Sequence, residues 1–321
     1  MASCTKRQQL LTTQGEYIMT LSIRLSLLSL LVFFSTSLFA GFLDQDFTKI
    51  TLKTTHVRGN IYMLEGEGGF AGGNIGVSAG KDGILLVDDQ LSPMPDKINT
   101  ALADINPGKL RFVLNTHWHG DHTGSNGHFS RDATIISHTN VRKRLMTEQE
   151  NFFGKSPASP KEAWPLITFE DAVNIHFNDE DIQFIHYANG HTDGDGIIYF
   201  PKSNVAHLGD HFFNGIFPFV DIDTGGNAFS LTRNIGRIID SLPDDALVIP
   251  GHGGLSDMAG LKAYYAMLKS TTTHVKNLVA EGETLEDIQL GGLPSEWTTW
   301  GGGFVNEAHW IKIIYNSLPK K

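Results

Sequence analysis

Cysteine is almost missing from this 321-residue chain, where Cys4 is the one thiol. No intrachain disulfide can staple the fold, and the body of the chain offers no thiolate as nucleophile or metal ligand. Long apolar runs are missing as well. Residues 25–34 form an apolar run, short of the about 20 residues a membrane span needs, and no later segment comes closer. Positive charge is scarce: 25 Lys and Arg face 35 Asp and Glu, for a net charge of -10, which disfavours nucleic acid and other polyanionic partners. No Pro/Gly/Ser-rich linker, charge block or solenoid repeat divides the chain, so one large α/β domain is the simplest account.

What is present begins with a leading segment unlike the rest. Arg24 precedes the apolar run, and Ser35, Thr36, Ser37 and the small Ala40 follow it. That layout is expected of a signal peptide over residues 1–40, with Met19 as an alternative start, a mature domain over 41–321, and a periplasmic or secreted location. A retained N-terminal anchor is the competing reading, because residues 38–42 can lengthen the apolar helix. Removal of residues 1–40 takes away Lys6, Arg7, Arg24 and Glu16, leaving 22 basic and 34 acidic residues and a net charge of -12.

Short β-branched and aromatic runs alternating with glycine turns predict strands at 56–64, 74–79, 84–88 and 111–115. Further strands are expected at 134–137, 173–177, 182–187, 197–200 and 205–208. Pro95 opens a helix to residue 103, and helices are expected at 140–148, 231–241, 261–280 and 306–318. Two strand-rich halves, each followed by helices, suit a four-layer sandwich with two sheets face to face and helices outside.

Chemistry concentrates in segment 115–126, Asn-Thr-His-Trp-His-Gly-Asp-His-Thr-Gly-Ser-Asn, directly after an expected strand. On an extended loop His117 and His119 point the same way, while Asp121 and His122 fall on the next turn and reach a second centre. Three more segments have the look of ligand loops: Gly190-His191-Thr192, Leu208-Gly209-Asp210 and Gly251-His252-Gly253. Five imidazoles and two carboxylates are enough donors for two metal ions.

His117-x-His119-x-Asp121-His122, followed in order by His191, Asp210 and His252, resembles the metallo-β-lactamase superfamily, and the likeness spans most of residues 41–321. It implies an αβ/βα sandwich of the metallo-β-lactamase type, with His117, His119 and His191 on one zinc, Asp121, His122 and His252 on a second, and Asp210 bridging. It implies a hydrolase in which two zincs, or iron or manganese in the same donors, ionise a water that attacks the carbonyl of a small-molecule substrate. Asp121 or Asp210 would orient that nucleophile or handle its proton.

Members that hydrolyse β-lactams carry a cysteine or a serine in place of Asp210, whereas glyoxalase II and lactonases share the aspartate. The expected substrate is a β-lactam or another cyclic amide or ester. The alternatives are a thioesterase or lactonase, and a metal-binding protein without turnover. Relatives with a flavodoxin-like partner domain or a nucleic-acid domain differ from this chain.

Phe212, Phe213, Phe217, Pro218 and Phe219 follow Asp210, and either line a substrate pocket or cap the core beneath it. Trp297, Trp300 and Phe304 are candidates for the opposite wall. His128, His207 and His211 stand near the ligand segments as candidate hydrogen-bond partners, and Asp88 reads either as such a partner or as a turn residue. Asp193 and Asp195 read as loop carboxylates.

Overall fold

A computed structural model describes residues 45–151 and 154–319, so the expected signal segment 1–40 lies outside the described residues. The chain divides into two units, residues 1–46 and Phe47–Lys321, and every element below belongs to the second. The first sheet contains β1 (Thr51–Arg58), β2 (Ile61–Glu67), β3 (Ile75–Gly80), β4 (Gly83–Val87), β5 (Leu110–Asn115) and β6 (Thr134–His138). A separate ribbon of β7 (Gln149–Asn151) and β8 (Gly154–Ser156) follows, and β9 (Ile167–Phe169) then completes the first sheet beside β6.

The second sheet runs in chain order through β10 (Ala172–Phe177), β11 (Glu180–His186), β12 (Gly196–Phe200), β13 (Val205–His207), β14 (Leu247–Ile249) and β15 (Ser256–Asp257). The helices are α1 (Pro95–Ile105), α2 (Gly120–Thr123), α3 (Asn126–Phe129), α4 (Thr139–Leu145), α5 (Ala228–Ser241), α6 (Met258–Glu281), α7 (Leu285–Gly291) and α8 (Glu307–Asn316).

The expected strand at 56–64 is two strands. Its apolar pattern continues across a two-residue turn at Gly59-Asn60, where Gly59 takes φ 60°, a left-handed conformation in which glycine carries no Cβ penalty. Arg58 then pairs with Ile61 and the chain doubles back. The expected helix at 140–148 stops at Leu145 instead. Gln149 Nε2 donates to the carbonyls of Arg144 and Thr147, satisfying acceptors a longer helix would have used.

Alternation along β4 shows how the layers form. Leu85 and Val87 point to the second sheet, where they meet Phe184, Ile198, Phe200 and Val205 between the sheets. Ile84 and Leu86 point outward and pack with Ile98, Ala101 and Leu102 of α1. Leu231, Ile235 and Ile238 of α5, Leu261, Tyr264 and Leu268 of α6 and Trp310 of α8 cover the other outer face. The four-layer αβ/βα sandwich is therefore as the sequence implies. Burial of each such side chain contributes about 1.5–3 kcal/mol. Asn227 caps α5 by accepting from the amides of Phe229 and Ser230, which fixes where that helix starts.

Five segments that leave strand ends gather at one edge of the sandwich. Asp88 follows β4, the 117–122 loop follows β5, His191 follows β11, Asp210 follows β13 and His252 follows β14.

Candidate metal centre

The structure brings together all seven side chains singled out in the sequence. His117, His119, His191 and Asp210 offer donor atoms within 4.8 Å of one another, and Asp121, His122 and His252 do the same in a second group. In the first, His119 Nδ1 lies 3.1 Å from His117 Nε2 and 2.8 Å from His191 Nε2. In the second, Asp121 Oδ2 lies 3.5 Å from His122 Nε2 and 3.4 Å from His252 Nε2. Asp210 belongs to both: Oδ1 is 3.1 Å from His122 Nε2 and 3.4 Å from His252 Nε2, while Oδ2 is 3.4 Å from His191 Nε2.

Partners behind the rings decide which nitrogen faces inward. His119 Nε2–H donates to Asp221 Oδ2 at 2.8 Å, His191 Nδ1–H to the Phe219 carbonyl at 2.8 Å, and His122 Nδ1–H to Asp88 Oδ2 at 2.8 Å. His117 Nδ1–H donates to Thr116 Oγ1 at 3.0 Å, and that hydroxyl donates onward to Asp88 Oδ2 at 2.8 Å. In its neutral form each of these rings therefore turns its lone pair inward, as a cation ligand requires.

The donor set fits a metal. Inward lone pairs crowded about 3 Å apart repel unless a cation lies among them, and Asp210 Oδ1 is buried with no aligned hydrogen-bond donor. Backbone approaches as closely as it can: a Cβ on Gly73 would overlap the His122 ring, and one on Gly251 would overlap Asp210 Oδ1.

A sequence profile described as the metallo-beta-lactamase superfamily matches residues 58–252. The chain belongs to that superfamily. The probable metallo-hydrolase YqgX of Bacillus subtilis is 28% identical over 168 residues, covering 50% of this chain and 77% of the relative. Among solved structures, a metallo-beta-lactamase from Pontibacter korlensis superposes with a TM-score of 0.57 at 16% identity, over 68% of this chain and all but 1% of the other. The sec-alkylsulfatase Pisa1 from Pseudomonas sp. gives 0.58 at 14% identity, over 83% of this chain and 50% of its own. These last two likenesses concern the fold. The superfamily and the buried His/Asp cluster together make the chain a metal-binding hydrolase.

The electrostatics of this metallo-beta-lactamase-type centre differ between its two groups. As bare side chains, His117 and His191 are pushed down by burial, His191 to about 4, so their rings are neutral and ready to donate lone pairs. Burial also works to lower His252, but Asp210 and Asp121 outweigh it and hold it at about 9. Burial works to raise Asp121, but His122 and His252 hold it at about 2. A cation seated in the second group would replace imidazole protons.

Three further carboxylates, Asp88, Asp195 and Asp221, hold the rings and turns of the cluster. Asp88 does both of its candidate jobs: it sits at φ 64° after β4 and ties Thr116 and His122. Asp195 is buried and accepts from the amides of His191 and Thr192 and from the Thr192 hydroxyl, holding the His191 turn, and burial pushes its carboxyl up to about 8. Asp221 had no motif to mark it; its Oδ2 meets His119 and its Oδ1 accepts from the Thr224 amide.

His207 is buried, accepts from the Gly209 amide of the Asp210 loop and donates to the Asn74 carbonyl, whereas buried His211 bonds to the Asn234 side chain and His128 meets Asn99. Phe212, Phe213 and Phe217 are fully buried and cap the core rather than line a pocket. Phe213 also stacks on His252 at 5.2 Å, and Phe70 stacks on the same ring at 5.9 Å. Half-buried Phe304 lies 6.2 Å from His252 and is the member of the expected second wall that reaches the centre.

Proposed function

We propose that the protein is a two-zinc hydrolase of small cyclic amides or esters, exported to the periplasm or the medium. The observation that carries the two-ion reading is Asp210, which turns one oxygen to each ligand group. His117, His119 and His191 would hold the first ion and Asp121, His122 and His252 the second, with Asp210 between them. Iron or manganese suits the same nitrogen and oxygen donors. When bound, such a pair supplies Lewis acidity toward a carbonyl and lowers the pKa of water.

The chain's own residues supply the rest. Asp121, its side chain 22% exposed, is the ionised carboxylate at the mouth of the centre and is placed to orient an attacking water and accept its proton. Asp210, at 5%, is enclosed and serves to hold the two groups together. Asp221 and Asp88 keep the imidazoles aimed inward as charge develops. Phe70 and Phe304, both half-buried beside His252, give the substrate an apolar wall. That wall suits an uncharged acyl chain and supports a second reading, a lactone or thioester substrate in place of a β-lactam bearing a carboxylate.

The test is hydrolysis of nitrocefin, acyl-homoserine lactones of increasing chain length and S-lactoylglutathione, before and after chelation. The proposal expects turnover of a cyclic substrate that chelation abolishes. Turnover of S-lactoylglutathione alone removes the cyclic-substrate reading, and turnover that survives complete metal removal removes the metal-centred one.

A further inference from the structure

At the opposite end of β5 from the metal centre is a cavity of about 600 Å³, within the range of small-molecule sites. Lys109, Arg111, Arg131 and His128 line it with Asn99, and Asp132 is the one acid in the lining. The six residues of β5, rising about 3.3 Å each, put it on the order of 20 Å from the His117 loop. It therefore does not belong to the hydrolytic site.

Strand geometry gathers these cations. Lys109 directly precedes β5 and Arg111 is the extra residue of a bulge in it, since Ile84 pairs with Leu110 and Leu85 with Phe112; both are exposed and both line the cavity. Phe112 of β5 is level with Thr134 of β6, and the segments that lead into these two strands bring Lys109 and Arg131 into the same lining. Among the described residues Lys109, Arg111 and Arg131 form no ion pair, although acids outnumber bases in the chain as a whole. Three unmatched cations converging on one concave surface have a local repulsion that an anion would relieve. Asn99 Nδ2 lies 3.3 Å from His128 Nε2, and with Asn99 donating there, the His128 Nδ1–H remains as a neutral donor.

We propose that this cavity is a binding site for a small polyanion, a molecule with two or more phosphate or carboxylate groups close together, separate from the metal centre. Guanidinium forks at Arg111 and Arg131 grip such groups in bidentate fashion, with Lys109 as a further point charge. The overall negative charge selects a compact anion over an extended polymer.

The test is calorimetric titration of the metal-loaded protein with inorganic pyrophosphate and, in a parallel arm, with citrate, which separates phosphate from carboxylate recognition. Saturable binding of one or both, weakening as salt rises, is expected, with affinity lost at least tenfold in the Arg111→Ala/Arg131→Ala double variant. Metal content and hydrolytic rate should not change in that variant. Lys109→Gln, at another exposed position, should weaken binding more mildly and serves as a check that the loss follows charge. Absence of saturable binding for both probes at millimolar concentration overturns the proposal. So does binding that is undiminished in the double variant, because the anion then sits elsewhere, the metal centre included.

Discussion

His122 Nδ1 lies 2.8 Å from Asp88 Oδ2, and neither side chain is open to solvent. The same carboxylate oxygen accepts from Thr116, whose hydroxyl in turn receives His117 Nδ1–H. One carboxylate thus aims one imidazole in each ligand group. Asp88→Asn keeps the size and tolerates the left-handed backbone while removing the charge. Retention of metal against a chelator should fall about 10–100-fold, with the far-ultraviolet spectrum of the fold unchanged. Unchanged retention would show that Asp88 is only a turn residue.

Asp221 acts on one group only, through His119. Asp221→Ala is expected to weaken by about 10–100-fold the retention of the ion proposed for His117, His119 and His191, while the other stays. Competition with a graded series of chelators reads this directly. Equal weakening of both ions would argue that Asp221 supports the whole loop and not one ligand.

Two phenylalanines beside His252 should behave in opposite ways. Phe213 is fully buried, so Phe213→Ala should cost about 3–5 kcal/mol of stability. Phe304 is half-buried at the centre, so Phe304→Ala should leave the melting temperature nearly in place and change KM across acyl chain lengths. A chain-length profile identical to that of the parent would remove Phe304 from the substrate wall.

The His/Asp cluster was legible because it is local: four of the seven residues stand within six positions, and the rest sit beside glycines that let backbone come close. Asp221 was illegible because its partner His119 is 102 positions away and no pattern links them. The strand Leu247–Ile249 escaped notice for a different reason. It has three residues, too few to show alternation, and it forms because parallel pairing with β13 and burial of Val248 and Ile249 reward it. The aromatic run after Asp210 read equally well as wall or core. Depth decided it, and depth is a property of the assembled layers.

A stacked imidazole pair makes stability depend on pH. His138 and His186 lie 3.7 Å apart with their planes 7° from parallel. Burial, and then the neighbouring His186, hold His138 at about 4, although Glu170 and Asp193 pull the other way. Burial also lowers His186, against the Asp195 carbonyl, Asp193, Asp171 and Glu170. The unfolded chain takes up a proton on each near pH 6.5, so the folded state loses stability as pH falls from 6.5 toward 4 and keeps it in full above. His138→Asn preserves the cap on Asn140 without a titrating group. Its melting temperature should fall less than that of the parent over this window, and parallel curves would contradict the assignment.

The number of metal ions per chain tests the central claim most directly. Elemental analysis of protein loaded with zinc and freed of excess metal should give two ions per chain. A ratio that saturates at one would leave Asp210 with nothing to bridge and contradict the two-ion centre.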